Sequence, residues 1–352
     1  MTPIPVFDGH NDLLARLHIA GGVEVAGSFS TGRARGHIDA QKMQSGTMVG
    51  GLFALWVPGS AGPSDRAERA MRQAGYDVPL PPPVDRATAA HVVKDQLAIL
   101  RAIETGGGCT VCVTVDQIEK AIQEGIPAAV IHLEGAEAIG PEFDQLDDLV
   151  ASGLRSLGPV WSRPTIFGHG VPFRFPATPD IGPGLTDDGK RLVKRCTELK
   201  ILVDVAHLNE AGFWDVAALI QQPIVATHSN VHALCPHARN LTDCQLDAIT
   251  ESDGLVGLNF ATAFLREDGR MRSDTPIDIM VDHLAYLVDR MGETRVALGS
   301  DFDGAVVPRE IGSAAGLQKL VEAMRHRGFD EPLIENICWK NWLRGLRAIW
   351  GA

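Results

Sequence analysis

The sequence predicts an α/β protein of (β/α)8 TIM-barrel type, and three observations predict it. Short runs rich in Val, Ile and Leu recur along the 352 residues, most of them followed by helical periodicity. Near-continuous apolar strands imply burial on both faces, and their alternation with helices implies parallel pairing. Eight such runs in a chain of this length fit a closed barrel better than an open sheet.

In order, the strands are expected at 4–9 (IPVFDG), 49–57 (VGGLFALWV), 127–133 (PAAVIHL), 154–160 (LRSLGPV), 201–206 (ILVDVA), 223–227 (PIVAT), 254–260 (GLVGLNF) and 295–300 (RVALGS). Helices are expected near 87–105, 142–152, 187–199, 210–221, 242–252, 276–292 and 313–327. A closing helix over 331–349 is flanked by or carries Trp339, Trp342 and Trp350. Two segments break the alternation. Residues 58–86 contain Gly59, Gly62, Pro63, Pro79 and the run Pro81–Pro83, and residues 162–186 are again rich in proline and glycine. Irregular stretches this long are usually functional loops, and after barrel strands they overhang the active-site face. With no internal repeat, low-complexity tract or composition boundary, residues 1–352 read as one barrel domain with loop insertions at about 58–86 and 162–186.

Composition narrows the function. Hydrophobic residues make up 45% and charged residues 22%, as in an ordinary globular protein. The 44 acidic against 32 basic residues give a net charge of −12, which argues against nucleic acid or an anionic membrane surface as partner. No apolar run reaches the ~18 residues of a membrane span. The start, MTPIPVFDGHND, has neither a basic region nor an apolar signal core, so the cytoplasm is the default compartment. Cys109 and Cys112 form a C-x-x-C pair without the second pair or nearby histidines of a zinc site, and all six cysteines read as small apolar fillers.

The chemistry lies in where histidines and acids fall. His10 and Asp12 sit two apart at the end of the first strand, where i and i+2 share a face. Glu134 ends the third strand, His207 the fifth, His228 the sixth and Asp301 the eighth. Six groups therefore converge on the C-terminal mouth of the expected barrel. Imidazole with carboxylate suits zinc or a similar first-row metal. His132 lies within the third strand and reads as core. His18, His37, His91, His283 and His326 fall in expected loops or helices and read as ordinary structural or surface residues.

These residues stand in stretches that are recognisable together: FDGHND (7–12), HLEGAEAI (132–139), LVDVAHLN (202–209), PIVATHSNVHALCPHARNLTD (223–243), ALGSDFDG (297–304) and NICWKNWLRGL (336–346). Across nearly its whole length the sequence resembles the membrane dipeptidase (renal dipeptidase) family. The resemblance implies two zinc ions, one on His10 and Asp12, the other on His207 and His228, with Glu134 bridging them and a hydroxide between them as nucleophile. It implies that Arg239 receives the substrate's terminal carboxylate and that Asp301 handles the proton, leaving the loop-closing role to Asp303. A homodimer and tolerance of a D-residue at the C-terminal position are family-level expectations. One position departs. The family has a substrate-contacting histidine after the fourth strand, where this chain has Trp161. Either His169, eight residues on, supplies the imidazole, or Trp161 shapes the pocket and no imidazole contacts the reacting oxygen; the reading favours His169.

The expected activity is hydrolysis of a dipeptide with a free C-terminal carboxylate, L,D-dipeptides included. Lactonases, phosphotriesterases and deaminases of the amidohydrolase type are the first rival. Their usual H-x-H opening and lysine bridge are replaced here by H-x-D and a glutamate. A non-catalytic metal- or peptide-binding barrel is the second, and a positioned proton carrier at Asp301 argues against it.

Overall fold

The structure, a computed structural model, describes residues 2–59 and 65–351. All eight apolar runs form strands, and three short strands join them. In chain order they are β1 (Val6–Asn11), β2 (Met48–Trp56), β3 (Tyr76–Val78), β4 (Thr110–Val111), β5 (Ala128–Glu134), β6 (Leu154–Gly158), β7 (Phe173–Phe175), β8 (Leu202–Val203), β9 (Val225–Ala226), β10 (Leu255–Asn259) and β11 (Val296–Gly299). Parallel pairing runs β1-β2-β5-β6-β8 on one side and β9-β10-β11 on the other, with β4 against the N-terminal end of β5. Two parallel bridges, Asp204 with Val225 and Asn11 with Phe302, join these arcs. At the seams Val205 N–H donates to Val225 O (3.0 Å), Asp12 N–H to Phe302 O (2.8 Å) and Asp301 N–H to His10 O (3.0 Å). The result is a closed eight-stranded parallel barrel.

The pleat sorts the side chains. Along β5, Ala129, Ile131 and Leu133 pack outward against the helices. Ala128 and Val130 point inward, into a cluster with Phe7, Leu52, Leu202, Val225, Leu255 and Ala297. Two and four residues further along the same inward row come His132 and Glu134. The barrel is therefore apolar at its base and polar at its mouth.

The base is filled from the chain's end. The Trp342 indole enters the inner cluster, and its Nε1–H donates to Leu298 O (2.8 Å). This needs Gly9 on β1, because a Cβ there would overlap the indole and the Thr227 carbonyl. Gly9 and His10 both face the interior, although a regular pleat would send neighbours to opposite faces. The β1/β2 register slips between Asp8 and Asn11, which accommodates both.

The seven expected helices all form, within a few residues of their expected ends. Others lie outside those expectations, among them Leu13–Ala20, Ala40–Gly46 and Val115–Glu124. The closing segment is not one regular helix. It runs Glu331–Glu335, a π-helical turn Asn336–Lys340 and Asn341–Trp350, and the wider turn sits directly before the helix that carries the plug. The two long loops also hold more order than their composition suggests. β3 from the first and β7 from the second pair antiparallel, Tyr76 with Phe175 and Val78 with Phe173, and Tyr76 Oη donates to Gly269 O (2.7 Å). Gly62 and Pro63 of the first loop lie outside the described residues. No helix among the described residues is long and apolar enough to cross a membrane.

If Trp342 is the plug of the barrel, Trp342→Ala should cost about 3–5 kcal/mol through the cavity it leaves. Urea denaturation followed by circular dichroism reads this as a lower midpoint; an unchanged midpoint would remove the plug from the account.

Candidate active site

β1 carries His10 into the mouth, and the following turn places Asp12 beside it, with His10 Nε2 3.5 Å from Asp12 Oδ2 and 3.6 Å from Glu134 Oε1. Glu134 is the last residue of β5. From the opposite side, beyond β8 and β9, His207 Nε2 reaches Glu134 Oε1 at 2.9 Å and His228 Nε2 reaches it at 3.5 Å. The two Nε2 atoms lie 3.0 Å apart, and the His10 and His228 rings stack with centroids 3.9 Å apart. Asp301 follows β11 in a left-handed conformation (φ 56°), and its Oδ2 accepts from Asn259 Nδ2 (3.0 Å). Gly304 packs so close to Asp12 and Asp301 that a Cβ there would overlap both carboxylates. The six residues that the sequence places at strand ends thus meet in one buried cluster.

Two groupings could each hold a cation: His10, Glu134 and His228, and His10, Asp12 and Asp301. In each, one donor atom per residue lies within 4.8 Å of the others. Among the described residues neither nitrogen of His10 has a hydrogen-bond partner, nor has Asp12 Oδ1, although all three atoms are buried. Most buried polar atoms in proteins find a hydrogen-bond partner, so imidazole and carboxylate atoms left without one and converging on one point fit a cation site. Electrostatics agree. Burial pushes Glu134 well above the usual carboxylate range and raises Asp301. Burial also opposes charge on His10, yet Glu134, Asp12 and Asp301 outweigh it and push its pKa up to about 10. His207 and His228 go the other way, driven well down by burial with help from the charges of Arg239 and His10. They are neutral imidazoles with lone pairs, the form that binds a metal.

Polar residues behind the cluster set those lone pairs, and the sequence reading did not single them out. Thr227 Oγ1 has one proton. It donates to Asp204 Oδ2 (2.7 Å) and so accepts from His228 Nδ1–H (2.8 Å), which leaves the Nε2 lone pair facing the cluster. Asp204 Oδ1 accepts from the backbone N–H groups of Thr227 (2.9 Å) and Ala206 (3.0 Å). His207 Nδ1 lies 2.9 Å from Ser162 Oγ. Asp8 does the same work at the β1/β11 seam, accepting from Ser300 N–H (2.6 Å) and Ser300 Oγ–H (2.8 Å). The available signal was a polar residue inside an otherwise apolar strand motif: FDGHND, LVDVAH, VATHS. His132 sits below the cluster with Nδ1 2.8 Å from Ser156 Oγ, in keeping with a core residue. Asp303 closes its loop, pairing with Arg16 Nε (2.8 Å) and accepting from His37 N–H (2.5 Å).

Arg239 lies beside the cluster and is buried. Its Nη2 is 3.4 Å from His207 Nε2 and donates to His228 O (3.1 Å), its Nη1 donates to Ala206 O, and its Nε has no partner among the described residues. Burial lowers its pKa to about 10, against the pull of Asp301 and Glu134, so it remains a cation at neutral pH. Trp161 reaches the site, with its ring 5.9 Å from that of His207 and 5.2 Å from that of Trp56. A buried ion pair holds its loop. Arg163 Nε and Nη2 donate to Glu137 Oε1 (2.8 and 2.6 Å), Nη2 also donates to Val57 O (2.7 Å), and the guanidinium stands 5.5 Å from the Trp161 ring. His169, the favoured candidate from sequence, is half-buried. Its Cδ2 lies 3.7 Å from where a Cβ on Gly182 would stand, and it makes no hydrogen bond or ring contact among the described residues.

Removing the hydroxyl of Thr227 while keeping its shape tests this arrangement. Thr227→Val is expected to weaken zinc binding about 10–100-fold, measured by chelator competition. Unchanged affinity would show that the relay from Asp204 does not orient His228.

The sequence matches the membrane dipeptidase family (peptidase family M19) over residues 1–350. A metallopeptidase from Rhodobacter sphaeroides, liganded with a phosphinate mimic of the dipeptide L-Ala-D-Ala, is 47% identical with a TM-score of 0.96, covering 99% of this chain and 100% of its own. The M19 metallopeptidase dipeptidase AC is 48% identical with a TM-score of 0.95, and each chain covers 100% of the other. An uncharacterized protein from the pqqA 5′ region of Klebsiella pneumoniae is 47% identical over 261 residues, which is 74% of this chain and 96% of that protein. The chain belongs to the membrane dipeptidase family, peptidase family M19, and is a metallo-dipeptidase.

Proposed function

We propose that the enzyme uses two divalent metal ions, zinc being the expected metal, to hydrolyse dipeptides that end in a free carboxylate, L,D-dipeptides included. The observation that carries this reading is the distance from Arg239 to the cluster. Its Nη2 is 3.4 Å from His207 Nε2, so a carboxylate held there is about one residue from the reacting carbonyl, given ~3.8 Å between successive Cα atoms. A longer peptide would have to pass its chain through the guanidinium. The R. sphaeroides relative, which binds a mimic of L-Ala-D-Ala, supports both the peptide length and the L,D stereochemistry.

In this reading His10 and Asp12 would hold one ion and His207 and His228 the other, with Glu134 shared between them. Bound there, divalent ions would supply Lewis acidity at the scissile carbonyl and lower the pKa of water at neutral pH. The chain does the rest. Asp301 Oδ2 is held by Asn259, which leaves Oδ1 to take the nucleophile's proton and return one to the leaving amine. Arg239 presents its fork to the C-terminal carboxylate and fixes the substrate's register. Trp161 walls the side of His207, which favours it over His169 as the residue that shapes the pocket opposite the ions.

Metal-loaded protein should cleave a panel of L,L- and L,D-dipeptides, followed by amine release; an untouched panel would end the dipeptidase reading. Glu134→Gln should abolish turnover and lower metal content, and full turnover would remove Glu134 from its shared position. Arg239→Lys keeps the charge but loses the fork. It should raise KM for free dipeptides about tenfold or more and leave C-terminally amidated dipeptides, already poor substrates, little changed. An equal loss on both would place Arg239 elsewhere in the mechanism.

A further inference from the structure

Three aromatic rings from three different elements form a continuous arc over the site. Trp161 follows β6, Phe173 opens β7, and Phe264 lies in the short helix Thr262–Leu265 after β10. Phe173 stands between the other two, 5.7 Å from Trp161 and 5.9 Å from Phe264, centroid to centroid. At these separations the rings are in contact and leave no passage between them. One end of the arc meets the metal cluster, where Trp161 lies 5.9 Å from His207. The other end meets the carboxylate-binding group, where Arg239 Cζ lies 5.5 Å from the Phe264 ring.

Those two ends are the two anchors of the substrate's last residue. Its amide nitrogen leaves from the cluster and its carboxylate rests on Arg239, so its Cα and side chain span the interval along which the arc runs. We infer that Phe173, backed by Trp161 and Phe264, determines specificity at the C-terminal residue of the dipeptide by limiting its side chain to small groups. The inference rests on the dipeptidase reading above.

The wall is firm because its ends are fixed. Trp161 is packed on Trp56 and Arg163. Phe264 is buried, with the His237 ring 4.5 Å away. Met71, Tyr76, Ala261 and Ala263 pack in the same cluster. Phe173 itself is half-buried and comes from the ribbon that pairs the two long loops, Val78 opposite it in β3. The central ring of the wall thus comes from the insertions, and its two flanking rings from segments that follow barrel strands.

The test compares kcat/KM for dipeptides that vary only the last residue (Ala-Ala, Ala-Leu, Ala-Phe) with a set that varies only the first (Ala-Ala, Leu-Ala, Phe-Ala). Both sets are measured in L,L and L,D forms with the zinc-loaded enzyme. The wild type should fall at least about tenfold from Ala to Phe in the first set. Phe173→Ala should recover about tenfold of that loss and leave the second set's ratios within about twofold. Phe173→Leu, which keeps the ribbon apolar, should recover part of it and covers the case in which the alanine variant does not fold. A wild type indifferent to C-terminal size, ratios unmoved in both variants, or a shift confined to the first-residue set would each overturn the wall while leaving the dipeptidase reading intact. A wild type that cleaves no dipeptide would overturn both.

Discussion

Three carboxylates, Asp12, Glu134 and Asp301, are brought together at the mouth of the barrel where water is largely excluded, and the rest of the site is arranged around that charge. Isolated carboxylates cannot be buried at such a density without a compensating cation. His10 shows the demand most directly. Buried and stacked on His228, it is nevertheless pushed toward its protonated form by the acids around it. A proton on His10 meets that demand in the same place where the proposed ions would meet it. The neighbouring imidazoles, His207 and His228, are held neutral and face the same point with their Nε2 atoms. The cluster is built for positive charge that the chain itself supplies only in part.

Holding such a cluster requires that the barrel not relax, and the same polar residues serve the seams and the site. Asp8 ties β1 to the residue before Asp301, so His10 and Asp301 keep a common frame. Asp204 and Thr227 do this where β8 meets β9, joining the segments that present His207 and His228. Below them the interior is apolar and closed by Trp342, so a shift of one strand against the next would disturb packing at the base as well as ligand geometry at the mouth. Close packing makes such coupling unavoidable.

Much of this was legible in the sequence because barrel strands are buried on both faces. That produces apolar runs distinct enough to count, and ends where a polar residue stands out. His10, Asp12, Glu134, His207, His228 and Asp301 were all found that way. Local signals were weaker where the structure depends on contacts distant in sequence. β3 and β7 are three residues each and about 95 apart; nothing in either loop alone announces a partner. Trp342 and Gly9 explain each other, yet stand at opposite ends of the chain. The helix Val115–Glu124 is a different case, since Thr114 as cap, Gln117 three residues on and Gly125 in the left-handed region (φ 72°) are ordinary boundary signals that were there to be read. The loop after β6 also resisted sequence reasoning. Residue type points to His169 and position to Trp161, and in the folded chain the Arg163–Glu137 ion pair fixes the turn that begins with Trp161.

The chain's overall acidity bears on the proposed role of Arg239 as an anion receptor. A protein of net charge −12 repels a carboxylate at long range, so recognition must be local. In the proposed function Arg239 would supply it, being desolvated in advance. Its guanidinium already donates to Ala206 O and His228 O, and Nε remains without a partner. Water need not be stripped from the arginine when an anion arrives, and the neutral carbonyls that hold it do not cancel its charge. The carboxylates of the cluster are the competing anions, and Asp301 and Glu134 do act on Arg239. Divalent ions held by Glu134 and its neighbours would offset that competition and leave the guanidinium free for the substrate. In the proposed function, metal loading and carboxylate recognition would therefore be coupled through charge.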